Sequence, residues 1–359
     1  MSPKVPVLIV MLGLLAACGS NSPAAGGQPS SSASAVTRAA SAKPASGATA
    51  EPKPEKAKLT LALPADDASA VPIRIAQDLG YFSKHGLEVD ASIVSASTAA
   101  QALASGSVDM YQGGTTPIVA DLAGADLIYV AATVDKSTLT LIGAKGITTF
   151  GQLRGKSVAT TSPGAFGEIA LRLSAKKYGL EIGKDIKLLY HPHSTASLTT
   201  FLSGQADAFI GPTPYNTIAE NKGYPVIIDY FKEGLRIPGP ALSTSRAFYA
   251  KNPNAIRAYL MGYLDGLRKT IDDPALAKQT ESKHTKVTDA TVLDSDYKVN
   301  LQTWNKDLRI DPKSIQNVLD GLGTPQAQAA DPKRFYDNTV AAAVTRDYAA
   351  KLFPSDVKP

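Results

Sequence analysis

Gly106-Ser107-Val108-Asp109, followed by Gly113-Gly114-Thr115-Thr116-Pro117, returns later in the chain as Gly204-Gln205-Ala206-Asp207, followed by Gly211-Pro212-Thr213-Pro214. Each copy is preceded by a Ser-Thr-Ala triplet, 97–99 in the first and 194–196 in the second. In both copies an Asp stands three positions after the first Gly, a second Gly stands four positions after that Asp, and a Thr-Pro pair then opens a helix. One reading is generic: any strand-and-helix unit ends a helix with Gly and caps the next with Thr. The sharper reading is a pair of similar lobes, each turning its strand ends and helix N-termini toward a shared cleft. Ligands of open α/β sheets sit outside the carboxyl ends of the strands, where free backbone N–H groups suit anions and polar acceptors.

Working outward, apolar runs of strand length alternate with helical spacing. Strands are expected at 59–63, 87–94, 108–112 and 127–133, and helices at 71–85, 97–104 and from Thr116, where Pro117 suits a first turn. The order then restarts, with strands at 138–143, 157–161, 186–190, 206–210 and 226–229 and helices at 166–178 and 197–202. From Asn254 onward the chain reads as mainly helical, in pieces separated by prolines. The βαβα order predicts an α/β protein whose lobes are mostly parallel sheets flanked by helices.

The first 17 residues read as an address. Lys4 precedes an apolar run from Val5 to Ala17, too short to span a bilayer, which takes about 20 apolar residues. Leu15-Ala16-Ala17-Cys18 resembles the bacterial lipobox, and Cys18 is the sole cysteine of the chain. The expected mature chain starts at Cys18 with a lipid anchor of several acyl chains, palmitate included, on the outer face of the cell membrane. Residues 18–57, rich in Ala, Ser, Pro and Gly with Val36 as the only larger aliphatic, read as a disordered tether. One cysteine excludes an intramolecular disulfide framework and any cysteine-rich metal site.

Charge narrows the function further. The 359 residues carry 37 Lys+Arg against 32 Asp+Glu, and much of that excess lies in the first 57 residues. The folded part is close to neutral, whereas a nucleic-acid binder concentrates positive charge on its fold. No nucleic-acid partner is expected.

Ile75-Ala76-Gln77-Asp78-Leu79-Gly80-Tyr81-Phe82, with His85-Gly86-Leu87-Glu88-Val89 after it, resembles a block of the ABC-transporter solute-binding proteins for nitrate, sulfonate, taurine and thiamine precursors. Ala102-Leu103-Ala104-Ser105-Gly106-Ser107-Val108-Asp109 and Gln152-Leu153-Arg154-Gly155-Lys156-Ser157-Val158-Ala159 resemble two further blocks of that family, in the same order. The resemblance implies a two-lobed type II periplasmic-binding fold with two hinge crossovers, placed near 133–138 and 235–241. Lobe 1 would comprise 58–135 plus 242–359, and lobe 2 would comprise 136–241. The implied role is capture of a small molecule between the lobes and delivery to an ABC permease and its ATPase, by a monomer without a cofactor and without catalysis. Two alternatives share the architecture: a surface lipoprotein that signals to a partner, and an enzyme similar to the yeast thiamine-pyrimidine synthases. Those synthases carry clustered cysteines, which this chain lacks.

The candidate ligand contacts are the loops at strand ends. Asp66 and Asp67 read either as helix caps or as acceptors for an amine or ring N–H. Gly114, Thr115 and Thr116 offer close backbone approach and hydroxyls, or a plain cap. Ser162, Gly164, Ala165 and Phe166 form a loop able to present N–H groups to a carboxylate, sulfonate or phosphate, with Phe166 as ring-stacker or core residue. The loop lacks the Gly-Lys-Thr ending of a phosphate-binding loop, so nucleotide hydrolysis is not indicated. His193, Ser194, Thr213 and Tyr215 complete the set. His191-Pro192-His193 invites a metal, but two histidines are too few for a closed zinc site. Trp304 reads as core. These loops contain no Arg or Lys, which favours a neutral or zwitterionic heterocycle or an aromatic acid over nitrate or a simple sulfonate.

Overall fold

The computed structural model describes residues 51–134 and 136–357. The expected signal peptide, the lipidation site at Cys18 and residues 18–50 of the expected tether lie outside the described residues, as does Asp135 in the first expected crossover.

Among the described residues ten strands form two five-stranded sheets. In the first sheet, β1 (Lys58–Leu63), β2 (Glu88–Ile93), β3 (Met110–Gly113), β4 (Leu127–Ala132) and β10 (Ala241–Ser245) take the order β2-β1-β3-β10-β4. In the second, β5 (Thr140–Gly143), β6 (Lys156–Thr160), β7 (Ile186–Tyr190), β8 (Ala208–Gly211) and β9 (Val226–Asp229) take the order β7-β6-β8-β5-β9. The two orders are one topology used twice. In each sheet a single strand, β10 or β5, runs antiparallel to both of its neighbours. That strand is the first one the chain forms after crossing from the other lobe. The crossovers run side by side: the Thr133 and Val134 N–H groups donate to the Pro240 carbonyl at 3.1 and 3.2 Å, and Ser137 N–H donates to the Leu235 carbonyl at 3.2 Å.

The repeated Asp explains why two strands start later than the alternation suggested. Asp109 accepts from the Thr60 N–H at 2.8 Å and from its hydroxyl at 3.0 Å. Asp207 accepts from the Ser157 N–H at 2.8 Å and from its hydroxyl at 2.9 Å. Each carboxylate is thus used to pin the neighbouring strand, β1 or β6, and β3 and β8 begin beyond it.

The helices that matter for the cleft are α1 (Val71–Asp78), α2 (Ala96–Ser105), α3 (Thr116–Leu122), α4 (Phe166–Lys177), α5 (Ser194–Leu202), α6 (Tyr215–Asn221), α7 (Pro253–Asp272), α8 (Pro274–Thr285), α9 (Ala290–Asn300) and α10 (Pro312–Leu322). The helix expected over 71–85 is divided, because Gly80 takes a left-handed φ of 71° that breaks the hydrogen-bond ladder. The first core packs α1 and α7 against the first sheet through Ile73, Ile256, Tyr259, Leu260, Tyr263 and Leu264, all fully buried. Each such side chain contributes roughly 1.5–3 kcal/mol of hydrophobic stabilisation.

Two features depart from the expected boundaries. Residues 51–57, assigned to the tether, lie on the folded body. Lys56 pairs with Asp109 at 2.7 Å, and Glu55 accepts from the Asn254 and Ala255 N–H groups at 3.2 and 3.0 Å, capping α7. The C-terminal part, assigned wholly to lobe 1, also serves the second sheet. Ile315, Val318 and Leu319 of α10 share a core with Ile169, Ala170 and Leu171 of α4. Strand β10 had no counterpart in the alternation. Its Ser243 and Thr244 are buried, with hydroxyls donating to the Tyr111 and Asp109 carbonyls at 3.1 and 2.7 Å.

Candidate functional site

The loops that follow β1, β3, β6, β7 and β8 converge on a cavity of about 100 Å3 with walls from both lobes. A cavity of roughly 150 Å3 admits a benzene ring, so this one suits a group of a few heavy atoms. The repeat builds its two sides alike. Tyr111 and Phe209 each precede a cavity glycine by two residues, so both side chains lie on the same face of their strand as that glycine. A Cβ on Gly113 would fall 2.0 Å from the Tyr111 ring, and one on Gly211 would fall 2.2 Å from the Phe209 ring. The aromatic rings occupy the places of those side chains, which is why the wall is bare backbone at Gly113 and Gly211.

Of the residues singled out from the sequence, Asp67, Gly114, Thr115, Ala165, Phe166, Ser194 and Thr213 line the cavity. The Gly114 carbonyl accepts from the Tyr129 hydroxyl at 2.6 Å. The Thr115 hydroxyl donates to the Gly164 carbonyl at 2.6 Å, which joins the lobes beside the cavity. The others sit elsewhere. Thr116 is turned away, its hydroxyl donating to the Ala96 carbonyl at 3.1 Å. Ser162 is buried beneath the loop. Gly164 lies behind the wall, its N–H held by Glu168 at 2.9 Å. Asp66, His193 and Tyr215 line a separate outer groove with His284. There Asp66 is ion-paired with Arg74 at 2.7 Å, His193 Nδ1 lies 3.3 Å from the Pro64 carbonyl, and the Tyr215 hydroxyl lies 3.5 Å from the Asp66 carbonyl. Among the described residues no group of three or more His, Cys, Asp or Glu is arranged to hold a metal ion.

Asp67 caps a turn and lies in the cavity wall. One of its carboxylate oxygens accepts from the Ser69 N–H at 2.9 Å. Burial pushes its carboxyl up to about 6. Behind it stand two more acids. Burial raises Glu281 to about 7, and Asp296 is raised well above the usual range by burial and by the facing Glu281. Two carboxyls in one low-dielectric site cannot both ionise cheaply, so the pair retains a proton.

Asn300 and Tyr111 are cavity residues that the sequence pattern does not single out. Asn300 donates to the Thr213 hydroxyl at 3.1 Å and to the Asp296 carbonyl at 2.9 Å. Tyr111 is fully buried, its hydroxyl makes no hydrogen bond among the described residues, and burial pushes it up to about 12.

The family model described as NMT1/THI5 like matches residues 68–277, more than half of the chain. The chain belongs to the NMT1/THI5-like family. No curated protein matches it by sequence. Among solved structures, a protein from Bordetella bronchiseptica RB50 is similar at a TM-score of 0.74 and 21% identity, over 85% of this chain and 100% of that one. The alkanesulfonate-binding protein SsuA from Xanthomonas axonopodis pv. citri, bound to MOPS, is similar at 0.66 and 20%, over 78% and 96% of the two chains. The periplasmic nitrate-binding protein NrtA from Synechocystis PCC 6803 is similar at 0.65 and 17%, over 85% and 93%. At these identities the likeness establishes the fold, that of the periplasmic binding proteins. In this member of the NMT1/THI5-like family, the cavity lies where the two lobes meet, and among the described residues its lining contains no Lys, Arg, His or Cys.

Proposed function

We propose that this protein captures a small organic solute between its lobes outside the cytoplasm and delivers it to an ABC importer. The observation that carries the reading is the cavity itself: its walls come from loops of both lobes, bridged by the Thr115–Gly164 hydrogen bond. A solute touching both walls binds the closed arrangement better than the open one, and only such differential affinity shifts the population. The closed form is then the signal that a permease reads. Micromolar capture corresponds to about 8 kcal/mol, within reach of a few hydrogen bonds and contact with the Phe166 ring.

Lipid attachment at Cys18 belongs to the same proposal and rests on the Leu15-Ala16-Ala17-Cys18 sequence. Cys18→Ser is expected to move the protein from the membrane fraction to the soluble extracytoplasmic fraction. The capture reading is tested by thermal-shift screening over sulfonates, pyrimidines, aromatic acids and amines, with small-angle scattering on each hit. A hit that raises the melting midpoint and contracts the molecule supports capture. Catalytic turnover of a hit would overturn it in favour of an enzyme.

A further inference from the structure

We propose that the solute presents a cationic, hydrogen-donating group, such as a primary amine, an amidine or a protonated nitrogen heterocycle, to the Asp67 carboxylate. This deepens the capture reading and rests on it. Among the described residues, Asp67 is the only acidic or basic one in the cavity wall. One of its oxygens is occupied by the Ser69 N–H, and the described residues supply no bond to the other. Glu281 and Asp296, behind it, are 3% and 0% exposed. Glu281 and Asp296 face each other across the proton they retain, and no Lys, Arg or His among the described residues pairs with either. The basic groups nearby are engaged elsewhere: Arg74 pairs with Asp66 at 2.7 Å, His284 lies 3.9 Å from Asp66, and Lys283 pairs with Asp78 at 3.2 Å. Three acids therefore stand together with no cation among them.

Asn300 points to a ligand independently. It is 2% exposed and lines the cavity, and both of its side-chain hydrogen bonds use Nδ2, leaving Oδ1 as an unpartnered acceptor among the described residues. An acceptor in the cavity wall with no protein partner gains a hydrogen bond from a donor that enters the cavity. An ammonium brings up to three donors and a positive charge, which satisfies Asp67 and Asn300 together. An oxyanion brings more acceptors and a second negative charge. The SsuA and NrtA structures are of an alkanesulfonate-binding and a nitrate-binding protein; the cavity of this chain has the opposite electrostatic preference.

The test uses the purified full chain with benzylamine, agmatine and 4-aminopyridine against ethanesulfonate, nitrate and benzoate. At pH 8 the cations are expected to bind at least tenfold more tightly than the anions. Binding should release protons, because a cation beside Asp67 lowers the affinity of the Glu281 and Asp296 pair behind it for the proton that pair retains; calorimetry in buffers of different ionisation heat reads this. The facing groups that set the response are Asp66, Arg74, His284 and Tyr215 around Asp67, with Glu281 and Asp296 behind it. Asp67→Asn keeps an acceptor for the Ser69 cap and is expected to weaken the cations at least tenfold, while Glu281→Gln should reduce proton release. Oxyanion binding that survives Asp67→Asn overturns the inference and leaves capture standing. Cation binding unaffected by Asp67→Asn also overturns it. No binding by either panel overturns capture along with it.

Discussion

Thr115 Oγ1 and the Gly164 carbonyl oxygen stand 2.6 Å apart although they belong to different lobes. The contact depends on there being no side chain at Gly164. A Cβ there would lie 2.9 Å from Val119 Cγ2 of α3, in the other lobe, and the residue's φ is +70°.

Gly164→Ala is therefore expected to hold the lobes apart. The left-handed backbone adds about 1–2 kcal/mol of strain, and the cross-lobe clash acts only on closure. Ligand affinity should fall at least tenfold, with a larger radius of gyration in small-angle scattering. Adding Val119→Ala should recover part of the affinity; a double variant as weak as the single one would mean that the clash is irrelevant.

The paired aspartates give a second prediction. Asp109→Ala and Asp207→Ala each strip a partner from a strand N–H and hydroxyl. Leaving a buried donor unsatisfied costs about 1–3 kcal/mol. Each also pairs with a lysine, Asp109 with Lys56 at 2.7 Å and Asp207 with Lys156 at 3.5 Å, and Asp109 is the more buried of the two. Urea titrations are expected to rank the Asp109 variant as the less stable of the two.

The acid cluster fixes a pH dependence and its sign. Asp67 and Glu281 titrate near 6 and 7 in the folded chain, above ordinary carboxylates, and Asp296 is raised as well. The folded state thus keeps protons that the unfolded state has already lost. Stability from these groups is fully present below about pH 4 and declines as pH rises toward 7. Asp67 alone contributes on the order of 3 kcal/mol to that decline. His284, whose pKa burial lowers, works in the opposite direction. Unliganded protein should lose urea resistance between pH 5 and pH 8, and Asp296→Asn should flatten that loss.

Trp304 offers an optical readout. It is the sole tryptophan, bridges to Val134, and shares a groove with Ile237 and Pro238 of the return crossover. Relative movement of the lobes alters this surrounding. Ligand addition is expected to change its emission in step with the thermal midpoint; stabilisation with unchanged emission would argue against hinge motion.

The repeated Gly-Asp-Gly-Thr/Pro pattern made the duplicated lobe legible, because strand alternation and helix stops are local properties. Strand β10 escaped for the same reason. Ala-Leu-Ser-Thr-Ser has no apolar alternation, and its hydroxyls become buried only through partners on β3 and the segment before it. The strand-end loops carry a visible signal, and seven of the thirteen residues read from them line the cavity. Asn300, Asp296 and Glu281 come from helices far along the chain. Their signal was present but subtle: polar residues at core-facing positions, with Leu293, Asp296 and Asn300 spaced along one face of α9. Asp66 and Tyr215 stand in or beside strand-end loops, yet loop position does not fix which side of a wall a side chain takes.

The strand order has a bearing on how the protein is made. Among the described residues β4 pairs in the sheet with β10 alone, and all six of its residues are buried. A chain emerging N-terminus first presents Leu127–Ala132 more than a hundred residues before Ala241–Ser245 arrives. During that interval an apolar strand has no edge to join, the kind of species that aggregates or recruits a holding chaperone. Synthesis paused between 132 and 241 should accordingly yield a chain far stickier than one paused after 245.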